Sequence, residues 1–291
     1  MKFIKYLLVY LSLVFVLVFT AEADWTPCNG PYGGNVSCLA VGDSNIFAGT
    51  SPGDVFISTN KGIDWKICGN RLADNNITSL IVKESNIFAG TLEGVFVSSN
   101  NGNNWKPVNN SVLVTVGIFC LAIKDGNLLA GTNHGVYSSS DNGATWIPMN
   151  DEQMAKLLVY CMAIDSSYIY AGTNKGVYFS QNNGKSWVKA NVGLQDKPIK
   201  SIAASGWNLI AGTTYGGFVS TNKGANWVPC TTGLSNREVE SFAVRDSLVI
   251  AGTDGGVFVS VNNGIDGKSA QIGFFSDEFP ENQWNGTPLF I

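Results

Sequence analysis

Charged residues are scarce in this chain. They make up 14% of its 291 residues, and the net charge is −4. No basic field therefore exists to attract nucleic acid or an anionic membrane. Histidine occurs once, and no Cys-x-x-Cys or Cys/His spacing is present. The sequence thus predicts no nucleic-acid partner, no metal site and no cofactor.

Glycine and aromatic residues are abundant by contrast. The chain has 33 glycines, and 11% of its residues are aromatic. Many turns and many β-type side chains, combined with few charges, indicate an all-β domain.

The N-terminus has the features of a secretory signal. Lys2 and Lys5 precede an apolar run over residues 6–19, and residues 21–23 have the small-x-small form that signal peptidase accepts. This run of 14 residues is short for a membrane span. We therefore expect a signal peptide at residues 1–23 and a secreted protein, extracellular or periplasmic, with no integral membrane segment after cleavage. An uncleaved N-terminal anchor is the alternative.

A motif of eight residues recurs along the rest of the chain. Its pattern is Ser-x-[Asp/Asn]-x-Gly-x-x-Trp, and a sixth copy at residues 260–267 has Gly267 in place of the tryptophan. Successive motif glycines are 40 or 41 residues apart. These glycines are Gly62, Gly102, Gly143, Gly184, Gly224 and Gly264, and the tryptophans are Trp65, Trp105, Trp146, Trp187 and Trp227.

Each unit of about 40 residues is typical of four short strands. A first apolar strand is followed by a second that ends in Ala-Gly-Thr, a third that precedes the motif, and a fourth that carries the tryptophan. Helical repeats are the alternative, but the Val, Ile, Phe, Tyr and Gly content disfavours helices. Only residues 151–158 could form a helical turn. The first strands are expected at residues 36–41, 77–82, 118–123, 160–164, 199–203 and 239–244.

The pattern predicts one β-propeller of about six four-stranded blades over residues 24–267, with the repeated turn between the third and fourth strands. Asn or Asp at the third motif position, as at Asp141, can accept backbone N–H groups. The glycine takes the positive φ that closes the turn. The tryptophan is expected to fill space between blades.

The motif resembles the Asp-box, or bacterial neuraminidase repeat, of sialidases, sortilin-type receptors and photosystem II stability/assembly factors. The resemblance extends from Trp25 to about Gly264. The third position is Asp only at Asp141 and is Asn in the other copies. A neutral amide can make the same backbone bonds, so this departure leaves the fold unchanged but argues against a metal role.

The two ends of the repeat region are incomplete. Residues 24–28 look like a fourth strand without the first three, and the sixth unit lacks its tryptophan. We predict that the N-terminal strand completes the last blade and that Trp25 takes the position that Gly267 cannot fill. The alternative is a seventh blade lost by truncation, since the irregular tail at residues 268–291 resembles no repeat.

The six cysteines would allow disulfides in an exported protein, but the repeat register argues against them. Three lie three residues after a motif tryptophan, and three share a place on the first strand. Equivalent positions on separate blades lie beyond the ~7 Å Cα limit for a disulfide. We predict mostly free cysteines, with Cys28–Cys38 as the one pair that could form. The two sets are Cys28, Cys68 and Cys230, and Cys38, Cys120 and Cys161.

One end of the propeller is expected to bind ligands. It carries the second hairpins and the loops after the fourth strands, and we call it the loop face; the repeated turns lie on the opposite turn face. Loops vary freely over a rigid scaffold, although ordinary solvated tips are the alternative. The candidates are Tyr32, Asp54, Glu93, His134, Lys175, Tyr215 and Asp254, with Arg71, Asp74, Asp151, Glu152, Lys156, Lys197, Arg237 and Glu238 in the longer loops.

Two catalytic functions are alternatives. A sialidase, which the resemblance implies, needs a cluster of arginines. Arg71 and Arg237 belong to the loop face, but Arg245 belongs to the turn face, so the three cannot converge. Another glycoside hydrolase could pair Glu93 with a second hairpin-tip carboxylate, either Asp254 or Asp54. Isolated acidic tips, however, are usually solvated.

We favour a secreted, non-catalytic propeller that acts as a monomer. Such a protein binds a protein or a glycan on the exported side, or helps to assemble a surface complex. It needs only a rigid ring and varied loops, and the sequence indicates both. The photosystem assembly factor resemblance implies a partner-binding chaperone role as a subtype of this function.

Overall fold

The computed structural model describes residues 28–264, apart from positions 43, 73–75, 109–111, 114–115, 206–207, 231–233, 235–236, 246 and 263. The predicted signal peptide, the segment 24–27 with Trp25, and the tail with Gly267 lie outside the described residues. Within the described residues, no helix is both long enough and apolar enough to cross a membrane.

The described chain is a six-bladed β-propeller, which confirms the all-β prediction. Five sheets have four antiparallel strands in chain order, and the sixth has three strands among the described residues. The strands are β1 Asn35–Gly42, β2 Asn45–Ser51, β3 Val55–Ser58, β4 Lys66–Ile67, β5 Ile77–Lys83, β6 Asn86–Thr91, β7 Gly94–Ser98, β8 Lys106–Pro107, β9 Ile118–Lys124, β10 Asn127–Thr132, β11 Gly135–Ser139, β12 Ile147–Pro148, β13 Val159–Ile164, β14 Ile169–Thr173, β15 Gly176–Ser180, β16 Val188–Lys189, β17 Ser201–Ser205, β18 Asn208–Thr213, β19 Gly216–Ser220, β20 Val228–Pro229, β21 Val239–Arg245, β22 Leu248–Thr253 and β23 Gly256–Ser260.

The first strand of each blade lies nearest the axis. First strands of successive blades contact one another, from β1 and β5 through to β17 and β21. The sheet order then places the second, third and fourth strands progressively further out. Among the residues that the structure describes, a single 3₁₀ turn, Met154–Lys156, follows blade 3 (β9–β12), in the segment where the sequence allows a helical turn.

The hydrophobic core is divided into layers between blades. Among the described residues, five clusters of buried side chains each join two successive blades. The alternation of strand side chains explains this arrangement. In β6, Ile87 and Ala89 pack toward blade 1 (β1–β4), whereas Phe88 packs toward blade 3. Each of the four middle blades is therefore apolar on both faces, and its packing depends on both neighbours.

The repeated Ala-Gly-Thr at the end of the second strand has a packing cause. A Cβ on Gly49 would lie 2.6 Å from Cγ2 of Ile77, in the next blade. The threonine closes the second hairpin: in blade 4 (β13–β16), Thr173 Oγ1 donates to the Gly176 carbonyl at 2.8 Å and accepts the Lys175 N–H at 3.0 Å. The motif thus joins close inter-blade contact to a fixed hairpin.

Two details of the strand prediction are wrong. The fourth strand does not carry the tryptophan; in blade 1 it starts one residue later, since pairing begins at Lys66 while Trp65 still belongs to the turn. The first strand of blade 5 (β17–β20) is β17, Ser201–Ser205, not residues 199–203. The Ile199 N–H donates to the Thr173 carbonyl of blade 4 at 3.0 Å, and the next residue, Lys200, donates its N–H to Gly212 of β18 at 2.9 Å.

The cysteines are free, as the repeat register predicts, and this includes Cys28 and Cys38. Cys38, Cys68 and Cys230 are buried, and Cys28 is exposed. Burial raises the pKa of Cys68 to about 11 and that of Cys38 to about 12. These two thiols are packing groups, not nucleophiles.

Candidate binding face

The repeated turns of the turn face are held by one set of hydrogen bonds. In blade 3, Ser139 Oγ accepts the Gly143 N–H at 2.7 Å and donates to Asp141 Oδ1 at 2.8 Å. Asp141 Oδ1 also accepts the Thr145 N–H at 2.8 Å. The glycine N–H donates to the serine hydroxyl in all six turns. In four other turns, an asparagine at the position of Asp141 accepts the N–H equivalent to that of Thr145.

These bonds also set the charge state of the one aspartate in the series. A side-chain hydrogen bond from Thr145, together with the Thr145 backbone N–H and the Ser139 hydroxyl, lowers the pKa of Asp141 to about 2. The carboxylate therefore stays ionised through the physiological range.

The turn tryptophans connect successive blades. Three indole N–H groups donate to a backbone carbonyl of the preceding blade, always the third residue after that blade's own tryptophan. The donor and acceptor pairs are Trp146 with Val108 at 2.9 Å, Trp187 with Met149 at 2.8 Å, and Trp227 with Ala190 at 2.8 Å. Trp65 instead bonds the Gly62 carbonyl of its own turn at 2.9 Å, and the buried Nε1 of Trp105 has no hydrogen-bond partner.

First hairpins share the turn face with the repeated turns. Lys83, at the first hairpin of blade 2 (β5–β8), donates to Asn142 Oδ1 in the turn of blade 3 at 2.7 Å. Lys223, in the turn of blade 5, lies over the ring of Tyr168, 4.4 Å from its centroid. This end of the propeller is therefore engaged in contacts between blades.

The loop face has a fixed backbone. In blade 3 the Asn150 side chain accepts the Val136 N–H at 2.7 Å and donates to the His134 carbonyl at 3.2 Å. Asn191 does the same in blade 4, with the Val177 N–H at 2.6 Å and the Lys175 carbonyl at 2.7 Å. These asparagines clamp the loop after the fourth strand onto the second hairpin of the same blade.

The structure distributes the candidate residues around the loop face, at most one on each second hairpin. His134, Lys175 and Asp254 are exposed at hairpin tips, as are Glu93 and Tyr215. Tyr32, before β1, is 69% exposed and Tyr215 is 66% exposed. Asp74 lies outside the described residues.

Three residues of the loop face serve the scaffold. Asp54 is buried, and both its oxygens accept from Arg71, each at 3.0 Å. Asp151 Oδ2 accepts the Trp187 N–H at 2.8 Å, while its Oδ1 accepts the Met154 N–H at 2.9 Å. Their side chains hold loops in place.

Two cationic side chains of the loop face lie over aromatic rings. Lys197 Nζ is 4.9 Å from the Phe218 ring centroid and 5.9 Å from that of Tyr215. The Arg237 guanidinium lies 5.2 Å from the centroid of Phe258. Arg71 is bound to Asp54, and Arg245 lies at the turn-face end of β21. The three arginines thus have separate environments, as the sequence predicts.

A shallow groove of about 370 Å³ opens on the loop face between blades 3 and 4. Gln153 Nε2 donates to the Tyr178 hydroxyl at its floor, at 3.1 Å, and Lys156 pairs with Glu152 at 2.9 Å. The lining residues are Glu152, Gln153, Lys156, Leu157, Lys175 and Tyr178. Among the described residues, no group of three or more His, Cys, Asp or Glu side chains could hold a metal ion.

The sequence analysis missed a ring of residues near the start of the first strands. In blade 2, Ile77 pairs with Thr91 and Ser79 pairs with Gly90, so Thr78 is an extra residue in a β-bulge. Four other first strands shift register at the same place. We call the six residues at this place the bulge residues; they are Ser37, Thr78, Phe119, Tyr160, Lys200, which stands just before β17, and Glu240.

The bulge residues make contacts from blade to blade. Thr78 Oγ1 donates to the Ile118 carbonyl at 2.7 Å, and the Ser37 hydroxyl donates to that of Ile77. The rings of Phe119 and Tyr160 meet edge to face, with centroids 5.5 Å apart. The sequence does contain a signal for them: this position holds hydroxyl, aromatic, basic or acidic residues in different units, while a Val or Ile precedes it and a Cys or Ser follows it in all six.

The charged bulge residues form a cluster between blades 5 and 6 (β21–β23). Lys200 Nζ donates to Glu240 at 3.0 Å and also to Glu238. Burial raises the pKa of Glu240 against the lowering effect of Lys200, whereas the hydrogen bond from Lys200 lowers the pKa of Glu238. One ammonium group thus holds two carboxylates at the loop-face end of the inner strands.

Neither a protein-family model nor a curated protein matches the chain. Solved structures do match its fold. A structure of YCF48 bound to a D1 peptide is 14% identical, with a TM-score of 0.67 over 85% of this chain and 86% of that one. The extracellular domain of BT4673 from B. thetaiotaomicron is 16% identical, with a TM-score of 0.67 over 83% of this chain.

An ancestral GH74 enzyme is 24% identical, with a TM-score of 0.67 over 82% of this chain. The chain spans only 38% of that enzyme and 34% of the BT4673 structure, but most of YCF48. All three likenesses are below 25% identity, and they establish the β-propeller fold alone.

Proposed function

We propose that the chain is a secreted, non-catalytic β-propeller whose loop face binds a protein or a glycan. One observation carries this proposal: blades 2 to 6 each present a different exposed side chain at a second hairpin whose backbone is fixed, as Asn150 and Asn191 fix His134 and Lys175. A fixed backbone with varied side chains suits recognition. The YCF48 structure contains a peptide and the BT4673 domain is extracellular, which supports a binding role outside the cell.

The repeated turn belongs, in this proposal, to the Asp-box type. The bonds that Ser139 and Asp141 make across the turn support the assignment, because they explain why serine, Asp or Asn, and glycine recur at fixed spacing. Asn in the other turns accepts the same backbone N–H. The turn is then a structural unit with no need of a metal.

We also propose that residues 24–28 form the fourth strand of the last blade. Support comes from the residues that follow. Asn29 N–H donates to the Ile63 carbonyl of the turn of blade 1 at 2.8 Å. Gly69, the equivalent residue after the fourth strand of blade 1, packs against the Asn103 carbonyl in the turn of blade 2. Cys28 and Asn29 thus meet blade 1 as the end of a preceding outer strand would.

A glycoside hydrolase is the second candidate, because a GH74 enzyme shares the fold. Glu93 with Asp254 remains the pair to test. Asp54 is a poor choice for the acid, since Arg71 occupies both of its carboxylate oxygens. An assembly role, as in YCF48, is a subtype of the binding function and requires a protein partner.

The test compares the two faces of one protein. The mature chain, residues 24–291, is immobilised and exposed to an envelope extract of the producing cells, and bound proteins and glycans are quantified by mass spectrometry. A loop-face variant, Lys197→Ala with Tyr215→Ala, is matched by a turn-face variant, Lys83→Ala with Lys223→Ala. We expect specific ligands to be lost from the first variant and retained by the second. Equal retention by both variants would contradict the proposal.

The enzyme candidate is tested separately. The mature chain is incubated with a panel of polysaccharides, and reducing ends are measured. Hydrolysis that disappears in Glu93→Gln would replace the binding proposal with the enzyme. The binding proposal expects no such turnover.

A further inference from the structure

We propose that the bulge residues are the centre of a glycan site, which takes the end of a neutral, hydroxyl-rich saccharide. The inference rests on the proposed binding function and narrows it to one ring of residues and one ligand class.

The first step is position. The first strands lie nearest the axis, and each is entered from the loop face. A β-bulge adds one residue to a strand and redirects its side chain. Five first strands carry this bulge near their start, and Lys200 stands at the same place just before β17, so each blade contributes one bulge residue at the loop-face end of the inner strands.

The second step is the aromatic part of the ring. Phe119 and Tyr160 are half-buried, and their edge-to-face contact fixes both ring planes. Aromatic rings in fixed orientation offer an apolar surface at low entropic cost, and the tyrosine hydroxyl adds a polar tip. The C–H face of a pyranose ring matches such a surface.

The third step is the polar part. Next in order around the ring, Lys200 is bound to Glu238 and Glu240. The ammonium group is a hydrogen-bond donor and the carboxylates are acceptors, and a sugar hydroxyl can use both. The ammonium group already pairs with both carboxylates, so the cluster offers hydrogen bonds more than an unpaired charge. Glu240 is buried, so Lys200 and Glu238 are the members within reach of a ligand. This arrangement suits an uncharged partner with many hydroxyl groups.

The fourth step is the contrast with the other half of the ring. Ser37 and Thr78 are small and donate to carbonyls of the next blade. Serine or threonine is therefore sufficient for the fold at this place. The large aromatic and charged residues of blades 3 to 6 go beyond that structural need, and a ligand gives them a role.

Those small residues also provide the test variants. Tyr160→Ser and Lys200→Thr install residues that other blades carry at the same place, so the blade can fold around them. Tyr168→Ser, in the first hairpin of the same blade as Tyr160 but on the turn face, is the matched control. Isothermal titration calorimetry measures binding of cellohexaose, maltohexaose and chitohexaose, with hexalysine and hexaglutamate as charged probes, and thermal melts check that each variant is folded.

We expect at least one neutral hexasaccharide to bind the mature chain in preference to either peptide. Tyr160→Ser and Lys200→Thr should each weaken binding about tenfold, which corresponds to about 1.4 kcal/mol, while Tyr168→Ser changes it less than twofold. Unchanged affinity in Tyr160→Ser, preference for a charged peptide, or no binding of any hexasaccharide would overturn the inference. The two proposals can fail separately. If no hexasaccharide binds but the loop-face variant loses an envelope protein that the parent chain captures, the proposed function stands and only this inference fails. If the loop-face variant loses no envelope protein either, both proposals fail.

Discussion

The two faces of the propeller are built on opposite rules. On the turn face, the same residue types recur from blade to blade. Their side chains make hydrogen bonds within the turn or to the neighbouring blade, as Ser139 and Trp187 do. On the loop face, the backbone is fixed in a repeated way, but tip and bulge side chains differ, as His134 and Lys175 or Tyr160 and Lys200 do.

This difference separates what the fold needs from what it leaves open. A residue that every blade repeats is explained by packing or by turn geometry. A residue that changes at an otherwise repeated position is not required by every blade, and it is available for recognition unless, like Asp54, it holds a loop in place. Substitutions on the two faces should therefore affect different properties, stability on one and binding on the other.

The largest effect is expected at a turn tryptophan. Trp187 is 5% exposed and donates to the Met149 carbonyl at 2.8 Å. Trp187→Ala should lower the free energy of unfolding by about 3–5 kcal/mol, the usual cost of truncating a buried tryptophan. Tyr215→Ala on the loop face should change it by less than about 0.5 kcal/mol. Urea denaturation measures both, and similar losses in the two variants would remove the contrast between the faces.

Trp25 extends the same comparison to the last blade. If residues 24–28 complete that blade, Trp25→Ala should cost about as much as Trp187→Ala, again about 3–5 kcal/mol. Hydrogen exchange of β23, Gly256–Ser260, should rise in the variant because the strand loses its outer partner. An unfolding free energy within about 0.5 kcal/mol of the parent chain would rule out the closing strand.

A turn glycine should give a smaller loss. Gly184 has φ +78°, and a Cβ there would lie 2.6 Å from Cε of Met149. Gly184→Ala should cost about 1–2 kcal/mol for the left-handed backbone and about 1–3 kcal/mol more for overpacking against the neighbouring blade. Gly126 has φ +76° with nothing within 4 Å, so Gly126→Ala should show the backbone cost alone. Equal losses in the two variants would show that the inter-blade contact is unimportant.

The smallest effect concerns pH. Since the pKa of Asp141 is lowered from 3.8 to about 2 in the folded chain, its carboxylate stabilises the fold above pH 4, and this contribution is lost as the pH falls toward 2. Asp141→Asn has no titrating group there. The stability advantage of the parent chain over Asp141→Asn in urea should shrink between pH 4 and pH 2. A pH-independent difference would mean that the turn does not favour the ionised carboxylate.

The fold was predictable because the repeated units can be aligned with one another within this one sequence. Six copies of one turn gave the blade count, and the Ala-Gly-Thr pattern marked the end of each second strand. The start of the fourth strand was not predictable, because Trp65 has a strand-like residue type but its backbone belongs to the turn. The start of β17 was missed for a similar reason. Ile199 has a strand-like residue type, but its N–H bonds another blade.

The candidate site was predictable only in part. The sequence located the hairpin tips, since they lie between Ala-Gly-Thr and the third strand. The sequence could not show that Asp54 is paired with Arg71, because that ion pair depends on the conformation of the loop that carries Arg71. The sequence also does not reveal how the strands pair. The bulges at Phe119 and Tyr160, and the contact between their rings, therefore became visible only in the structure.

The most direct test of this division between the faces is hydrogen–deuterium exchange of the mature chain with and without its best-binding hexasaccharide. We predict slower exchange at residues 117–120, 158–161, 198–202 and 238–241, where the bulges lie, and no change in the repeated turns at residues 139–146 and 180–187. Protection of the repeated turns, with the bulges unaffected, would contradict the account.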